Sequence, residues 1–324
     1  MSVIDQAAKR LQELQRAGVD LPARDDVTDA LPTPEAMVRA LESRETAPPH
    51  SPSDLSMPQR IEAEVASQVK PTVRSRRRIA ARGTPTTRHV ELDLAALTAR
   101  GFISPEAPTQ IADEFRVIKR PLIRNAVGKS GAAPVKNGNL IMVTSALPGE
   151  GKTFTSVNLA MSIALEFDST VLLVDGDVAH PQLPNLLGIP SSPGLLDLLT
   201  RDDIDVGDTL IKTNVEKLTI MPAGSRHRRA TELLASEQMV GLLQELGARY
   251  PDRIVIFDSP PLLATTEARV LAGHMGQILM VVSADATTRS TVQAALTTIE
   301  NCEIVLMMLN KASKTEVGTY YGYY

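Results

Sequence analysis

From residue 140 onward the chain alternates two kinds of apolar pattern. Short, nearly unbroken apolar runs stand at 140–145 (L-I-M-V-T-S), 171–175 (V-L-L-V-D), 218–222 (L-T-I-M-P), 254–258 (I-V-I-F-D), 278–283 (I-L-M-V-V-S) and 304–309 (I-V-L-M-M-L). Between them, near 152–167, 194–200, 231–248, 266–272 and 288–300, apolar residues recur at helical spacing. A run that is apolar at every position has no face to offer water, so it predicts a strand covered on both sides. Strands alternating with helices predict a doubly wound α/β fold with a mostly parallel sheet. In such folds the ligand site lies at the carboxyl ends of the strands.

The first ninety residues read differently. Residues 1–18 predict a short amphipathic helix, with Ser2 and Asp5 in a capping-box pattern and Ile4, Ala7, Ala8, Leu11 and Leu14 at helical spacing. Residues 19–89 carry nine prolines by Pro85, among many Ser, Thr and charged side chains. That composition cannot bury enough apolar area to offset its ordering entropy, and it predicts a largely disordered linker. Arg74, Arg76, Arg77, Arg78, Arg82 and Arg88 form a basic cluster there, read first as a solvated stretch and second as an attraction to an anionic membrane surface. Nucleic acid is the weaker option, because no aromatic residue interleaves the arginines to stack on bases, and no nucleic-acid partner is expected. Residues 90–125 predict an ordered arm whose helix, Ile111 to Arg124, is broken or kinked at Pro121. A P-loop domain is expected over 126–312 and a tail over 313–324.

Composition narrows the setting. The 324 residues carry 34 Lys+Arg, 38 Asp+Glu and a net charge of −4, so no chain-wide attraction to nucleic acid or lipid is expected. A single cysteine, Cys302, excludes an intramolecular disulfide framework and suits a reducing compartment. No apolar run approaches the roughly 20 residues that span a bilayer, and the first residues lack a signal pattern, so a cytoplasmic location is expected. Four of the five tyrosines, Tyr320, Tyr321, Tyr323 and Tyr324, crowd into the last five positions. Tyrosine ordinarily serves cores and interfaces. Here it reads either as a sticky docking segment or as phenol hydroxyls presented to an active site.

The chemistry sits at the strand ends. Directly after the first apolar run comes A-L-P-G-E-G-K-T, Ala146 to Thr153, opening a helical stretch. This strand, glycine-rich loop, helix order is the context a P-loop requires. Gly149 and Gly151 let backbone N–H groups turn toward phosphate, Lys152 can reach the β- and γ-phosphates, and the Thr153 hydroxyl can ligate Mg²⁺. The second run ends V-D-G-D, giving Asp175 and Asp177, and the fourth ends I-F-D-S-P-P, giving Asp258. Carboxylates at strand ends beside a P-loop are expected partners for a hydrated Mg²⁺. Asp177 is surplus to that task, and a carboxylate near the γ-phosphate can deprotonate an incoming hydroxyl.

These three motifs resemble the Walker A, A′ and B motifs of the bacterial tyrosine kinases (BY-kinases), P-loop autokinases unrelated in fold to eukaryotic protein kinases. The tail Y-Y-G-Y-Y resembles the tyrosine cluster that such enzymes phosphorylate on a neighbouring subunit. D-E-F-R-V-I-K-R-P-L, 113–122, is similar to the family's E-x-x-R-x-x-R oligomerisation helix, with Asp113, Arg116 and Lys119 at the three positions. The K-R-P-L wording and the short first helix resemble the branch associated with exosortase-type exopolysaccharide loci. The resemblance covers residues 110 to 324. It implies an ATP and Mg²⁺ site formed by Pro148, Gly149, Glu150, Gly151, Lys152, Thr153 and Phe154, with Thr153, Asp175 and Asp258 on the metal and Asp177 as the base. It further implies a homo-oligomer, a transmembrane polysaccharide co-polymerase as activator, a protein-tyrosine phosphatase, and recruitment to the cytoplasmic face of the inner membrane. Where relatives often carry Arg two residues after the second A′ acid, this chain has Ala179 and then His180; Arg226, Arg228 and Arg229 offer an alternative source of charge.

Two other classes fit parts of the pattern. Positioning ATPases of the septum and plasmid-partition type share the fold and the acidic motifs, but their P-loop carries an early second lysine where this chain has Leu147. A non-catalytic nucleotide-binding regulator would have no need of an intact Lys152, Thr153 and acidic set.

Overall fold

A computed structural model of the chain describes residues 88–105, 108–128, 133–249 and 252–313. The helix expected over residues 1–18, the linker as far as residue 87 and the tail from residue 314, with its four tyrosines, lie outside the described residues.

In chain order the elements are β1 (Arg88–Val90), α1 (Leu94–Ala99), α2 (Gln110–Val127), β2 (Leu140–Ser145), α3 (Lys152–Ala164), β3 (Thr170–Asp175), α4 (Leu183–Leu187), α5 (Leu195–Thr200), α6 (Val206–Thr209), β4 (Ile211–Thr213), β5 (Leu218–Met221), α7 (Ala230–Leu234), α8 (Glu237–Arg249), β6 (Arg253–Asp258), α9 (Thr266–Ala272), β7 (Gln277–Ser283), α10 (Arg289–Leu296) with a 3₁₀ turn at Thr297–Ile299, and β8 (Val305–Asn310). The strands form one eight-stranded sheet in the order β1-β4-β5-β3-β6-β2-β7-β8. Only the β4–β5 pair is antiparallel; every other pair is parallel.

All six expected strands form, and their unbroken apolar character has a direct cause. Along β2, Ile141 and Val143 join the core on one face, with Phe115 and Leu122 of α2 and Leu159 and Ile163 of α3. Leu140 and Met142 join the core on the other face, with Leu242 and Leu246 of α8 and Leu271 of α9. Successive side chains point to opposite faces, so a sheet covered by helices on both sides demands apolar residues at every position. β1, at the start of the described residues, reaches two positions into the span expected as linker, and it pairs with β4.

Of the break or kink expected at Pro121, the break does not occur: the helix runs through the proline to Val127. Phe115 and Leu122, on either side of the proline, are buried against α3 and the sheet, and this packing holds both halves in one helix. Gln277 of β7 reinforces the second half: its Nε2 donates to the Leu122 carbonyl at 3.0 Å, and its Oε1 accepts from Asn125 Nδ2 at 2.8 Å. The three charged positions of the 113–119 stretch differ in their surroundings. Asp113 and Arg116 lie exposed and pair with each other, but Lys119 is only 3% exposed. Its Nζ donates to the Ser162 carbonyl at 2.5 Å and pairs with Glu166 at 2.8 Å, at the end of α3. It ties α2 to α3. Elsewhere the helix expected over 231–248 divides at Ser236 into α7 and α8, because the Ser236 hydroxyl accepts from Met239 N and starts a new helix.

Candidate nucleotide site

The loop between β2 and α3 is built by its glycines. Gly149 (φ +81°) and Gly151 (φ +100°) occupy left-handed conformations that side chains disfavour. At Gly151 space also forbids a side chain, since a Cβ there would stand 2.1 Å from Asn310 Nδ2. Gly151 is the N-cap of α3 and supplies no capping side chain, so the helix's first N–H groups are left for another acceptor. A 13-residue helix entered this way presents oriented N–H donors and a positive dipole end, which suits a phosphate.

The rest of the loop is braced from outside. Glu150, expected at the nucleotide, turns its carboxylate inward and is 3% exposed. It accepts from Leu147 N at 2.6 Å, from Ser283 N at 3.2 Å, and from the Thr287 hydroxyl. From the end of β8, Asn310 Nδ2 donates to the Glu150 carbonyl at 2.8 Å and Lys311 Nζ donates to the Gly149 carbonyl at 2.7 Å. Phe154, also expected at the nucleotide, faces away from the loop: its ring meets Phe102 at 5.1 Å between centroids and lines a cleft beneath α2 and β8. Pro148 is exposed.

Four chemically important side chains converge. Asp175 and Asp258 end the neighbouring strands β3 and β6 at the same register, both fully buried. Asp175 Oδ2 accepts from Leu183 N at 3.2 Å, and Asp258 Oδ1 accepts from Ser156 Oγ at 2.9 Å. Asp175 Oδ1 and Asp258 Oδ2 are buried without a hydrogen-bond partner. Burial, and then the adjacent Asp258 charge, push the Asp175 carboxyl up to about 8. Burial pushes Asp258 up to about 6, while the hydroxyls of Thr153 and Ser156 and the Lys152 charge act in the opposite sense. Burial lowers the Lys152 ammonium, and the Asp258, Asp177 and Glu150 charges counter it. Asp177 is half-buried and accepts from His180 N at 3.0 Å. Burial raises its pKa against the pull of that N–H and of Lys152, which makes it a stronger proton acceptor.

Two buried, unsatisfied carboxylate oxygens side by side fit a divalent cation. Among the described residues no group of three or more His, Cys, Asp or Glu could chelate a bare ion. The donor set instead suits Mg²⁺, which keeps several waters and binds through one or two carboxylates and the phosphates of a nucleotide. Ser156, which sequence reasoning overlooked, belongs to this group through its bond to Asp258. Its signal was its place one helical turn beyond Lys152, whose carbonyl its hydroxyl also meets at 3.0 Å. The arginines of the 224–230 loop, Arg226, Arg228 and Arg229, are exposed.

A family model described as an AAA domain matches residues 138–311. The tyrosine-protein kinase YwqD of Bacillus subtilis is 30% identical over 185 residues, covering 57% of this chain and 76% of that one. EpsB of Ralstonia nicotianae is 34% identical over 166 residues, which are 51% of this chain and only 22% of that protein. Among solved structures, the chimerical protein CapA2B2 superposes with a TM-score of 0.53 at 25% identity, over 69% of this chain and 93% of that one. No described helix is long and apolar enough to cross a membrane.

Proposed function

Since the chain belongs to the AAA-domain P-loop proteins and, among them, to the bacterial tyrosine kinases, we propose that it transfers the γ-phosphoryl group of Mg²⁺-ATP to Tyr320, Tyr321, Tyr323 and Tyr324 of a neighbouring copy. The observation that carries this reading is the meeting of Lys152 with Asp177 and Asp258 at one end of the sheet. Lys152 and the α3 N-terminus would hold the transferring phosphate. Asp175, Asp258 and the Thr153 hydroxyl would hold the hydrated metal, which draws charge from the β- and γ-phosphates when bound. Asp177 would take the phenol proton as the tyrosine oxygen attacks. The last described residues, Ala312 and Ser313, follow directly on the Lys311 contact with the loop.

The same reading assigns a setting. A homo-oligomer would bring one copy's tail to the next copy's site, and the exposed pair of Asp113 and Arg116 on α2 supplies a charged contact for it. A transmembrane polysaccharide co-polymerase would act as activator at the cytoplasmic face of the inner membrane, and a protein-tyrosine phosphatase would reset the tail. The output would be control of exopolysaccharide polymerisation and export, in the exosortase-associated branch.

The test is to incubate the purified full chain with γ-labelled ATP and Mg²⁺ and map phosphotyrosine. Label on the 320–324 cluster that depends on Lys152 supports the reading. Hydrolysis of ATP with no protein-bound label overturns it.

A further inference from the structure

The P-loop is gripped on its carbonyl side by two side chains from the end of β8. Asn310 Nδ2 donates to the Glu150 carbonyl at 2.8 Å, and Lys311 Nζ donates to the Gly149 carbonyl at 2.7 Å. These are distant partners in sequence, 160 and 162 residues apart. The contact is also close-fitting: a Cβ at Gly151 would collide with Asn310 Nδ2. Lys311 itself holds a left-handed backbone (φ +60°), an uncommon conformation for a residue with a side chain and one that persists only where its surroundings dictate it. The strand end beneath it is fixed in turn by Ala284 N donating to the Asn310 carbonyl at 2.8 Å.

Peptide planarity turns this grip into a statement about phosphate. In a trans peptide the C=O and the next N–H point in opposite directions. The described peptide bonds are all trans. Fixing the Gly149 carbonyl outward therefore fixes the Glu150 N–H the other way, and fixing the Glu150 carbonyl does the same for the Gly151 N–H. Phosphate binding by a P-loop depends on N–H groups already turned to the inside of the loop. A loop free to rotate those peptides would lose entropy on every binding event, whereas a pre-set loop does not.

We propose that Asn310 and Lys311 are positioning residues for the nucleotide phosphates: they set the direction of the Glu150 and Gly151 N–H donors from behind, without touching the ligand. This rests on the nucleotide reading above. Lys311 is exposed, so its charge is spent on a carbonyl rather than on neutralising a buried acid.

The experiment measures Mg²⁺-ADP affinity by titration calorimetry on the full chain, alongside the melting temperature without nucleotide. Lys311→Met keeps the aliphatic stem and removes the donor; Asn310→Asp keeps the shape and replaces the donor with an acceptor; Lys311→Arg restores a donor. Lys311→Met and Asn310→Asp should each weaken Mg²⁺-ADP by about tenfold, the scale of one lost charged or buried hydrogen bond. Their nucleotide-free melting temperatures should stay within about 2 °C of wild type, and Lys311→Arg should bind within about threefold of it. Unchanged affinity in both donor-removing variants overturns the proposal. So does a loss of affinity matched by a fall in nucleotide-free melting temperature and not recovered by Lys311→Arg, which is the signature of a merely structural contact. If the wild-type chain itself fails to bind Mg²⁺-ADP, the nucleotide reading falls and takes this inference with it; the variants alone cannot produce that result.

Discussion

Asp175 and Asp258 are register partners at the ends of the adjacent parallel strands β3 and β6, and each buries one carboxylate oxygen that no protein group satisfies. Ionising both acids in the absence of a cation opposes folding, because two like charges are then held out of water next to each other. An arrangement that costs stability and persists at a strand terminus beside a P-loop is best explained by its ligand.

That cost is measurable through Asp175→Asn. Burial and the adjacent Asp258 charge hold the folded-state pKa of Asp175 at about 8, well above the ordinary carboxyl range. A raised carboxyl contributes stability that is fully present below the unfolded value and lost as pH rises through the folded one. An asparagine does not titrate, and its oxygen still accepts from Leu183 N. The metal-free variant should therefore match wild type near pH 4 and exceed it increasingly as pH rises toward 8. Thermal melts across that range in chelator read this directly, and a variant that is less stable at pH 8 overturns the argument. In Mg²⁺-ATP the same variant should lose tyrosine phosphorylation.

Asp177 and Lys152 separate chemistry from binding. Asp177→Asn removes a proton acceptor and no phosphate contact, so autophosphorylation should fall by about 10²- to 10⁴-fold while ADP affinity stays near wild type. Lys152→Met removes the ammonium held among Asp258, Asp177 and Glu150, and should lose both. Single-turnover transfer and nucleotide titration on the two variants give the comparison. An Asp177→Asn protein that phosphorylates at the wild-type rate rules out the base assignment.

The oligomerisation triad divides into two effects. Asp113 and Arg116 are exposed and joined by an i,i+3 ion pair, so replacing both with Ala should leave the melting temperature nearly unchanged while converting oligomer to monomer and reducing autophosphorylation. Lys119→Ala should instead destabilise the fold by about 2 kcal/mol, because it removes a buried ammonium from the α2–α3 contact and leaves the Ser162 carbonyl without that donor. Light scattering and thermal melts distinguish the two. If Lys119→Ala dissociates a fully stable protein, the residue faces a neighbour after all.

The sheet and the site were legible in the sequence to the extent that their signals are local. Strands covered on both faces must be apolar throughout, so β2, β3, β6 and β7 announce themselves, and a P-loop needs its glycines at fixed spacing. The short β4 was not legible, because Ile211–Thr213 is held by pairing on both sides rather than by any pattern of its own. The burial of Lys119 was not legible either, since a lysine stem can lie along an apolar contact and still deliver its ammonium to a buried partner. Glu150 and Asn310 show the same limit. Each sits where a motif or strand end predicts a ligand or a turn, and what each does is fixed by atoms more than a hundred positions away.

The tail yields the last expectation. Each phosphotyrosine adds about −1.5 to −2 charges at neutral pH, so four on Tyr320, Tyr321, Tyr323 and Tyr324 would place roughly −6 to −8 charges within five positions. These residues lie outside the described part of the chain, but the site proposed to receive them does not: Asp175, Asp177 and Asp258 converge there. A neutral phenol can approach those carboxylates with a proton to give, whereas a phosphorylated tail meets like charge in a region of low dielectric, where repulsion is least screened. Phosphorylation should therefore expel the tail and loosen the oligomer, and a phosphatase should restore it. Sedimentation velocity of the fully phosphorylated and dephosphorylated forms, at matched Mg²⁺-ADP and salt, should show a smaller species for the former, with the difference shrinking as salt rises. Identical sedimentation at low salt would reduce the tail to a passive acceptor.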